Sequence, residues 1–295
     1  MQRASAFVRE AAVATAERVE ELEGGVALFC DRLPDVWDLN YLWLDAVPTD
    51  ATAETLASLA DAIQEPAGLG HRQIVLADLE EGARLAREFS ALGWTVSTLL
   101  HMEHRRTPDR QRQADVRELD EVGQRAFRER LLREAPESYD EDVVRQLLEA
   151  VRVGSAAIPT RWFAAYVEDE PVSICELYAV GGTSQIEDLN TLEQYRNRGL
   201  ASAVFLHAVE RARAAGAEFL FLLAEEDDWP WHLYQRLGFD PIGRTYSVLR
   251  KLDGRLPGAA GAAAASRRVT RVEASGLDEP PRPPSASAAR ASPLP

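Results

Sequence analysis

The spacing of apolar positions changes along the chain, and each change marks an element. Leu56, Leu59, Ala60 and Ile63 recur at intervals of three and four, the period of a helix with one buried face. Short runs rich in Val, Leu and Ile, as at 26–30 and 73–77, have the length and composition of strands. In order, the pattern predicts a helix over 6–23, strands over 26–30 and 41–45, and a helix over 53–64. A strand over 73–77, a helix over 83–91 and a strand over 95–101 complete the first half. The polar stretch Arg106-Thr107-Pro108-Asp109 separates it from a second half. That half opens with a strand over 114–117 and helices over 122–133 and 142–151. Strands over 162–167, 172–180 and 184–189 follow, with Glu168-Asp169-Glu170-Pro171 as a hairpin turn. A helix over 201–214, with Gly216 placed to cap its end, leads to a strand over 218–223. A helix over 231–237 and a strand over 245–249 end the pattern. The predicted class is α/β with a mixed sheet, first from consecutive antiparallel strands and then from a strand-helix-strand unit.

The two halves resemble each other. Val75-Leu76-Ala77-Asp78 precedes a helix ending in Leu92-Gly93-Trp94, and Leu222-Leu223-Ala224-Glu225 precedes one ending in Leu237-Gly238-Phe239. Each continues into a strand ending in basic residues, Arg105-Arg106 and Arg250-Lys251. The period is far too long for a solenoid and points to duplication of one domain.

Composition narrows the function. The 295 residues carry a net charge of -15, which argues against nucleic acid, because phosphate binding needs a basic face. The length predicts about two domains. No run approaches the ~18 apolar residues of a membrane span, and Met1-Gln2-Arg3-Ala4 opens an amphipathic helix rather than a leader. The expectation is a soluble, cytoplasmic protein with no membrane partner. Cys30 and Cys175 stand far apart, with neither zinc nor CxxC spacing, and read as buried thiols. The five histidines show no paired spacing, so no metal is assigned. Residues 253–295 are dominated by Ala, Pro, Ser and Arg, too few large apolar groups to offset the entropy of ordering, and read as a disordered tail.

The chemistry concentrates where a strand ends, a short basic turn follows and a helix begins at a glycine: Thr191-Leu192-Glu193-Gln194-Tyr195-Arg196-Asn197-Arg198-Gly199-Leu200-Ala201-Ser202. The first N–H groups of a helix lack internal partners and, with the helix dipole, form an anion site. Gly199 lets the backbone approach a phosphate, and Arg196 and Arg198 add planar donors suited to it. Such a turn suits a pyrophosphate, although by itself it is equally a surface helix start with two solvated arginines.

This stretch resembles motif A of the GNAT (GCN5-related) N-acetyltransferases, Gln/Arg-x-x-Gly-x-Gly/Ala, with Arg196, Gly199 and Ala201 in place. Leu233-Tyr234-Gln235-Arg236-Leu237-Gly238-Phe239 resembles the family's motif B. The resemblance covers about residues 112–252. It implies a GNAT fold, with a partial GNAT-like domain over 1–110 and a complete one over 111–252. It also implies an N-acetyltransferase that moves an acetyl group from acetyl-CoA to a primary amine of a small molecule or peptide. By resemblance, the loop amides of Arg196, Asn197, Arg198, Gly199, Leu200, Ala201 and Ser202 hold the pyrophosphate. Leu189, Asn190 and Thr191 offer backbone to the pantetheine arm through a gap between strands, and Tyr234 protonates the departing thiolate. The Glu that some members use as base falls here on Gln185, which cannot take a proton. With period 2, Gln185, Glu187, Leu189 and Thr191 share one face and Asp188 points to the other, which makes Glu187 the replacement candidate beside a base acting through water. The acidic run Glu225-Glu226-Asp227-Asp228 is either a solvated loop or an attractor for a cationic amine.

In the first half, Phe89 stands where Tyr234 would, and Ala46-Val47-Pro48-Thr49-Asp50-Ala51-Thr52 has no Arg-x-x-Gly. A phenyl ring has no proton to give and Asp50 repels phosphate, so the expected role is to extend the sheet or wall the substrate cleft. Family chains with two copies, one degraded, fit this picture. The rival reading is a non-catalytic module that binds acyl-CoA and contacts another protein. Oligomeric state stays open.

Overall fold

The computed structural model describes residues 1–109, 113–135 and 139–252. The tail from 253 and the domain junction at 110–111 lie outside them. The first half runs α1 (Gln2–Thr15), β1 (Arg18–Leu22), β2 (Gly25–Phe29), β3 (Tyr41–Leu44), α2 (Ala53–Gln64), β4 (His71–Leu76), α3 (Gly82–Ala91) and β5 (Thr95–His104). The second runs β6 (Asp115–Leu119), α4 (Glu121–Arg133), α5 (Glu141–Ala157), β7 (Thr160–Val167), β8 (Glu170–Val180) and β9 (Thr183–Thr191). It ends with α6 (Leu200–Ala214), β10 (Phe219–Glu225), α7 (Pro230–Arg236) and β11 (Phe239–Lys251).

Two expectations need correction. The helix predicted over 6–23 ends at Thr15, and Arg18–Leu22 is a strand. All five of its residues pair with Gly25–Phe29 across a tight turn. The ladder satisfies backbone groups that an exposed helical extension would leave to water. Val19 stays exposed on this edge strand, so burial left little pattern to read. The last strand, predicted over 245–249, spans Phe239–Lys251, with a register shift between Pro241 and Gly243.

All eleven described strands form one sheet, ordered β1-β2-β3-β4-β11-β5-β10-β9-β8-β7-β6. The halves repeat one plan. In the first, β2 lies antiparallel to β3 and β3 parallel to β4, with α2 between β3 and β4 in sequence. In the second, β8 lies antiparallel to β9 and β9 parallel to β10, with α6 in the matching place. The closing strands are exchanged: β5 pairs with β10, and β11 pairs with β4. β5 and β11 pair with each other at the centre.

α6 and α7 pack on one face of the sheet over a core that includes Phe163, Ile186, Phe205, Leu220 and Phe239. Residues of α2 and α3 cover the matching core of the first half, with Leu56, Leu85 and Phe89. The opposite face carries α1 and α5, which touch each other across the junction of the halves. Leu147 and Leu148 of α5 pack with Cys30, Leu33 and Val36 of the first half. Burying such side chains is worth about 25 cal/mol per Å² of apolar surface, so this junction is a core rather than a hinge.

Candidate functional site

The turn before α6 has the geometry its sequence predicts. Asn197 and Gly199 both adopt left-handed backbone, at φ 61° and 77°, around Arg198. Alternating such residues curls consecutive N–H groups toward one point, as in anion-binding nests. Gly199 caps the helix with no side-chain bond, and the first helical bond runs from Ala203 N–H to the Gly199 carbonyl. The amides of Leu200, Ala201 and Ser202 therefore have no acceptor within the helix. Arg196 donates through Nε to the Thr191 carbonyl at 3.3 Å, and Arg198 to the Gln194 carbonyl at 2.9 Å. Both arginines flank the helix N-terminus.

Beside this cradle the sheet opens. β9 and β10 pair over three positions, Thr183–Gln185 against Phe219–Phe221. β9 continues to Thr191 and β10 to Glu225 without further pairing to each other. Leu189, Asn190 and Thr191 lie on this splayed stretch, and the buried Asn190 Oδ1 has no partner.

The single-face reading of β9 fails inside the gap. Ile174 pairs with Asn190 and Glu176 with Glu187, so Asp188 and Leu189 stand opposite Cys175 alone. Asp188 takes φ 54°, the signature of a bulge. Beyond it the alternation is offset. Leu189 joins Ile186 in the core under α6, whereas Gln185, Glu187 and Asp188 all border a cleft on the opposite face. The bulge is held by Arg128 of α4, which pairs with Glu176 and Asp188, all three nearly inaccessible. Asn190 Nδ2 donates to Asp188 Oδ1 at 2.7 Å, and Trp162 Nε1 donates to Glu176 Oε1 at 3.0 Å.

The cleft encloses about 280 Å³ between α1 and α5, floored by strands of both halves. Glu187, which accepts from Gln185 Nε2, borders it beside the gap, and Leu223 stands on the gap's other side. Tyr178 also lines it and donates to Glu176. Burial and the adjacent carboxylates push the Tyr178 phenol well up, so it stays a proton donor at neutral pH. His101 of β5 lines the same cleft, fully buried, with Nε2 3.2 Å from Thr245 Oγ1 and Nδ1 without a partner. Burial, helped by the N-terminal ammonium, lowers it to about 4, so it is a neutral imidazole.

Across the sheet, Tyr234 of α7 is buried and stacks on Phe205 of α6, with ring centroids 5.2 Å apart. Gly238, just past α7, has φ 97°, and a Cβ there would meet the Arg106 carbonyl at 2.0 Å. Phe89, the first-half counterpart of Tyr234, is wholly buried against Trp94. The acidic run after β10 is partly spent: Glu226 is clamped by Arg244.

Residues 124–239 match the family model described as Acetyltransferase (GNAT) family. The chain carries a GNAT domain. Acyl transfer from an acyl-CoA is the activity of that family. No match is found among curated proteins. Among solved structures, a functionally unknown conserved protein from Staphylococcus epidermidis ATCC 12228 superposes with a TM-score of 0.63 at 15% identity, covering 80% of this chain and 94% of that one. A GCN5-related N-acetyltransferase from Kribbella flavida superposes at 0.56 and 18% identity, covering 86% and 95%. One from Sphaerobacter thermophilus gives 0.54 at 14%, covering 77% and 76%. At these identities the likeness is one of fold, and it runs over both halves.

Within the GNAT domain, sequence reasoning named the turn before α6, Leu189 to Thr191 of β9, Glu187 and Tyr234. It missed Arg128, Glu176, Asp188 and Tyr178, and it missed His101 and Asp38 of the first half. Arg128 reads as one more helix-surface arginine beside Phe127 and Leu131. Only its two carboxylate partners, 48 and 60 residues away, reveal its role.

Proposed function

We propose that the protein transfers an acetyl group from acetyl-CoA to a primary amine that enters from the cleft between α1 and α5. The observation that carries this reading is the gap between β9 and β10, which has the amide cradle of Gly199, Leu200, Ala201 and Ser202 beside it and opens onto the Glu187 side of the cleft. Pyrophosphate suits the cradle because its donors are preorganised and Arg196 and Arg198 supply charge. The freed edge of β9 at Leu189, Asn190 and Thr191 suits the amide-bearing arm, which can add to the sheet as a strand does.

The reaction joins the amine nitrogen to the thioester carbon and breaks the carbon–sulfur bond. The amine must be neutral to attack, and Glu187, which borders the cleft beside the gap, is the carboxylate to which we assign that proton, directly or through water. Glu176 and Asp188 are engaged by Arg128 and are less suited to that task. Tyr234 supplies a proton to the thiolate. A screen of amine classes with acetyl-CoA, reading thiol release, tests the proposal. Turnover with at least one primary amine is expected. Tight acetyl-CoA binding with no thiol release from any class would favour the non-catalytic binding module instead.

A further inference from the structure

The cleft runs well beyond the point where an acetyl group would arrive. Its floor includes Glu187 on β9, Leu223 on β10, His101 on β5, Thr245 and Ser247 on β11, and Gln73 on β4. At the first-half end Asp38 joins the lining. Gln73 Nε2 lies 3.3 Å from both Asp38 Oδ1 and Ser247 Oγ, which ties the three into one polar cluster. β4 is four strands from β9, so that cluster lies about 19 Å from Glu187 at ~4.8 Å per strand.

Two buried polar atoms along this path lack a partner among the described residues. Asp38 Oδ2 is shielded from solvent and meets no donor, and the fully buried His101 presents an unpartnered Nδ1. A buried acceptor without a donor costs about 1–3 kcal/mol, so Asp38 Oδ2 favours a ligand that brings a donor, and His101 Nδ1 accepts one in the tautomer with its proton on Nε2. Among the described residues no arginine or lysine lines the cleft, while Asp38, Glu176, Glu187 and Asp188 do. Between the ends the walls are apolar: Val8 and Ala12 of α1, Val151 and Ile158 at α5, and Leu99 and Tyr41 on the sheet.

We infer that the acceptor is an extended amine with an apolar middle and a second amino group, which Asp38 of the first half binds while the reacting amine meets Glu187. This rests on the acyl-transfer reading of the same site. The first half thereby sets substrate length, which explains why a copy without a cradle remains part of the site.

1,10-Diaminodecane is a probe whose extended length, with a hydrogen bond at each end, matches the spacing; octylamine lacks the second group, and 1,4-diaminobutane is too short to bridge. Calorimetry on the full chain, with and without saturating coenzyme A, gives each affinity. Diaminodecane is expected to bind more tightly than both other amines. Asp38→Asn should weaken it about tenfold, the loss of one charge-assisted hydrogen bond, and leave octylamine unchanged. Ser247→Leu, which obstructs the path without touching Asp38, should also weaken diaminodecane and spare octylamine. Equal affinity of wild type and Asp38→Asn for diaminodecane, or a loss shared by octylamine, overturns the inference. So does failure of diaminodecane to bind either form. A separate acetyl-CoA titration keeps the two readings apart: loss of that binding would sink acyl transfer, whereas the diamine titration without coenzyme still judges the cleft.

Discussion

Arg128→Met tests whether the bulge in β9 is held electrostatically. The substitution keeps an unbranched side chain among Phe127, Leu131 and Gln124 but removes the cation that pairs with Glu176 and Asp188 among the described residues. Those carboxylates are 4% and 6% exposed, so water cannot replace the guanidinium without opening the structure. Breaking one side of a buried ion pair costs about 3–5 kcal/mol, because the remaining charge is left without compensation. For a chain of this size each kcal/mol lowers Tm by about 2–4 °C, which predicts a fall of roughly 6–20 °C. Urea unfolding at pH 7.5 measures the free energy directly. The variant Arg128→Met/Glu176→Gln/Asp188→Asn removes the stranded charges as well, and should regain much of the loss. A loss under about 1 kcal/mol for Arg128→Met alone would refute the reasoning, placing the network in the range of exposed surface pairs. An equally unstable triple variant would show that shape rather than charge fixes the bulge.

Gly199→Glu should abolish coenzyme A binding in calorimetry while circular dichroism stays unchanged, because it adds a Cβ and a negative charge at a left-handed position of the cradle; retained affinity would remove the cradle from that turn. Tyr234→Phe should leave acetyl-CoA affinity unaltered and slow the single-turnover rate by about 10²–10⁴, the usual worth of a general acid; an unchanged rate would reduce Tyr234 to packing. His71 and His101 are both pushed down to about 4 by burial, so the folded state holds them neutral while the unfolded chain protonates them near their ordinary value. Their stabilisation is complete above about pH 6.5 and is lost as pH falls toward 4, at up to ~1.4 kcal/mol per unit for each histidine. Unfolding free energy followed over that window should drop, and His101→Gln should drop less steeply; a flat profile would contradict the burial argument.

What could be read from the sequence was local. The anion turn lies within Arg196 to Ser202, and the cap at Leu237-Gly238 lies within one helix end, so both show in a short window. The repeat of the two halves was legible for the same reason, since strand, helix and glycine recur in order. The bulge at Asp188 was not legible, because it answers to a pairing with β8 and an ion pair from α4. Nor was the edge strand at Arg18–Leu22, whose exposed Glu20 and Glu21 give it no hydrophobic alternation. The exchange of β5 and β11 leaves no mark in either strand, since each keeps the same pattern whichever half it joins. The cleft follows from that exchange, and so the contribution of Asp38 and His101 emerged only in three dimensions.

The exchange also bears on how the chain is made. β5 ends at residue 104 and β11 begins at 239, so 134 residues, 105 to 238, separate two neighbours. At a synthesis rate of about 5–20 residues per second, β4 and β5 leave the ribosome on the order of ten seconds before the strand that belongs between them exists. In that interval their backbone groups are open to any strand in reach, including β11 of a nascent neighbour on the same message. Polysome density and local concentration would then govern the yield of correctly closed chains against interlinked pairs, a burden imposed by the order of strands rather than by any residue of the second half.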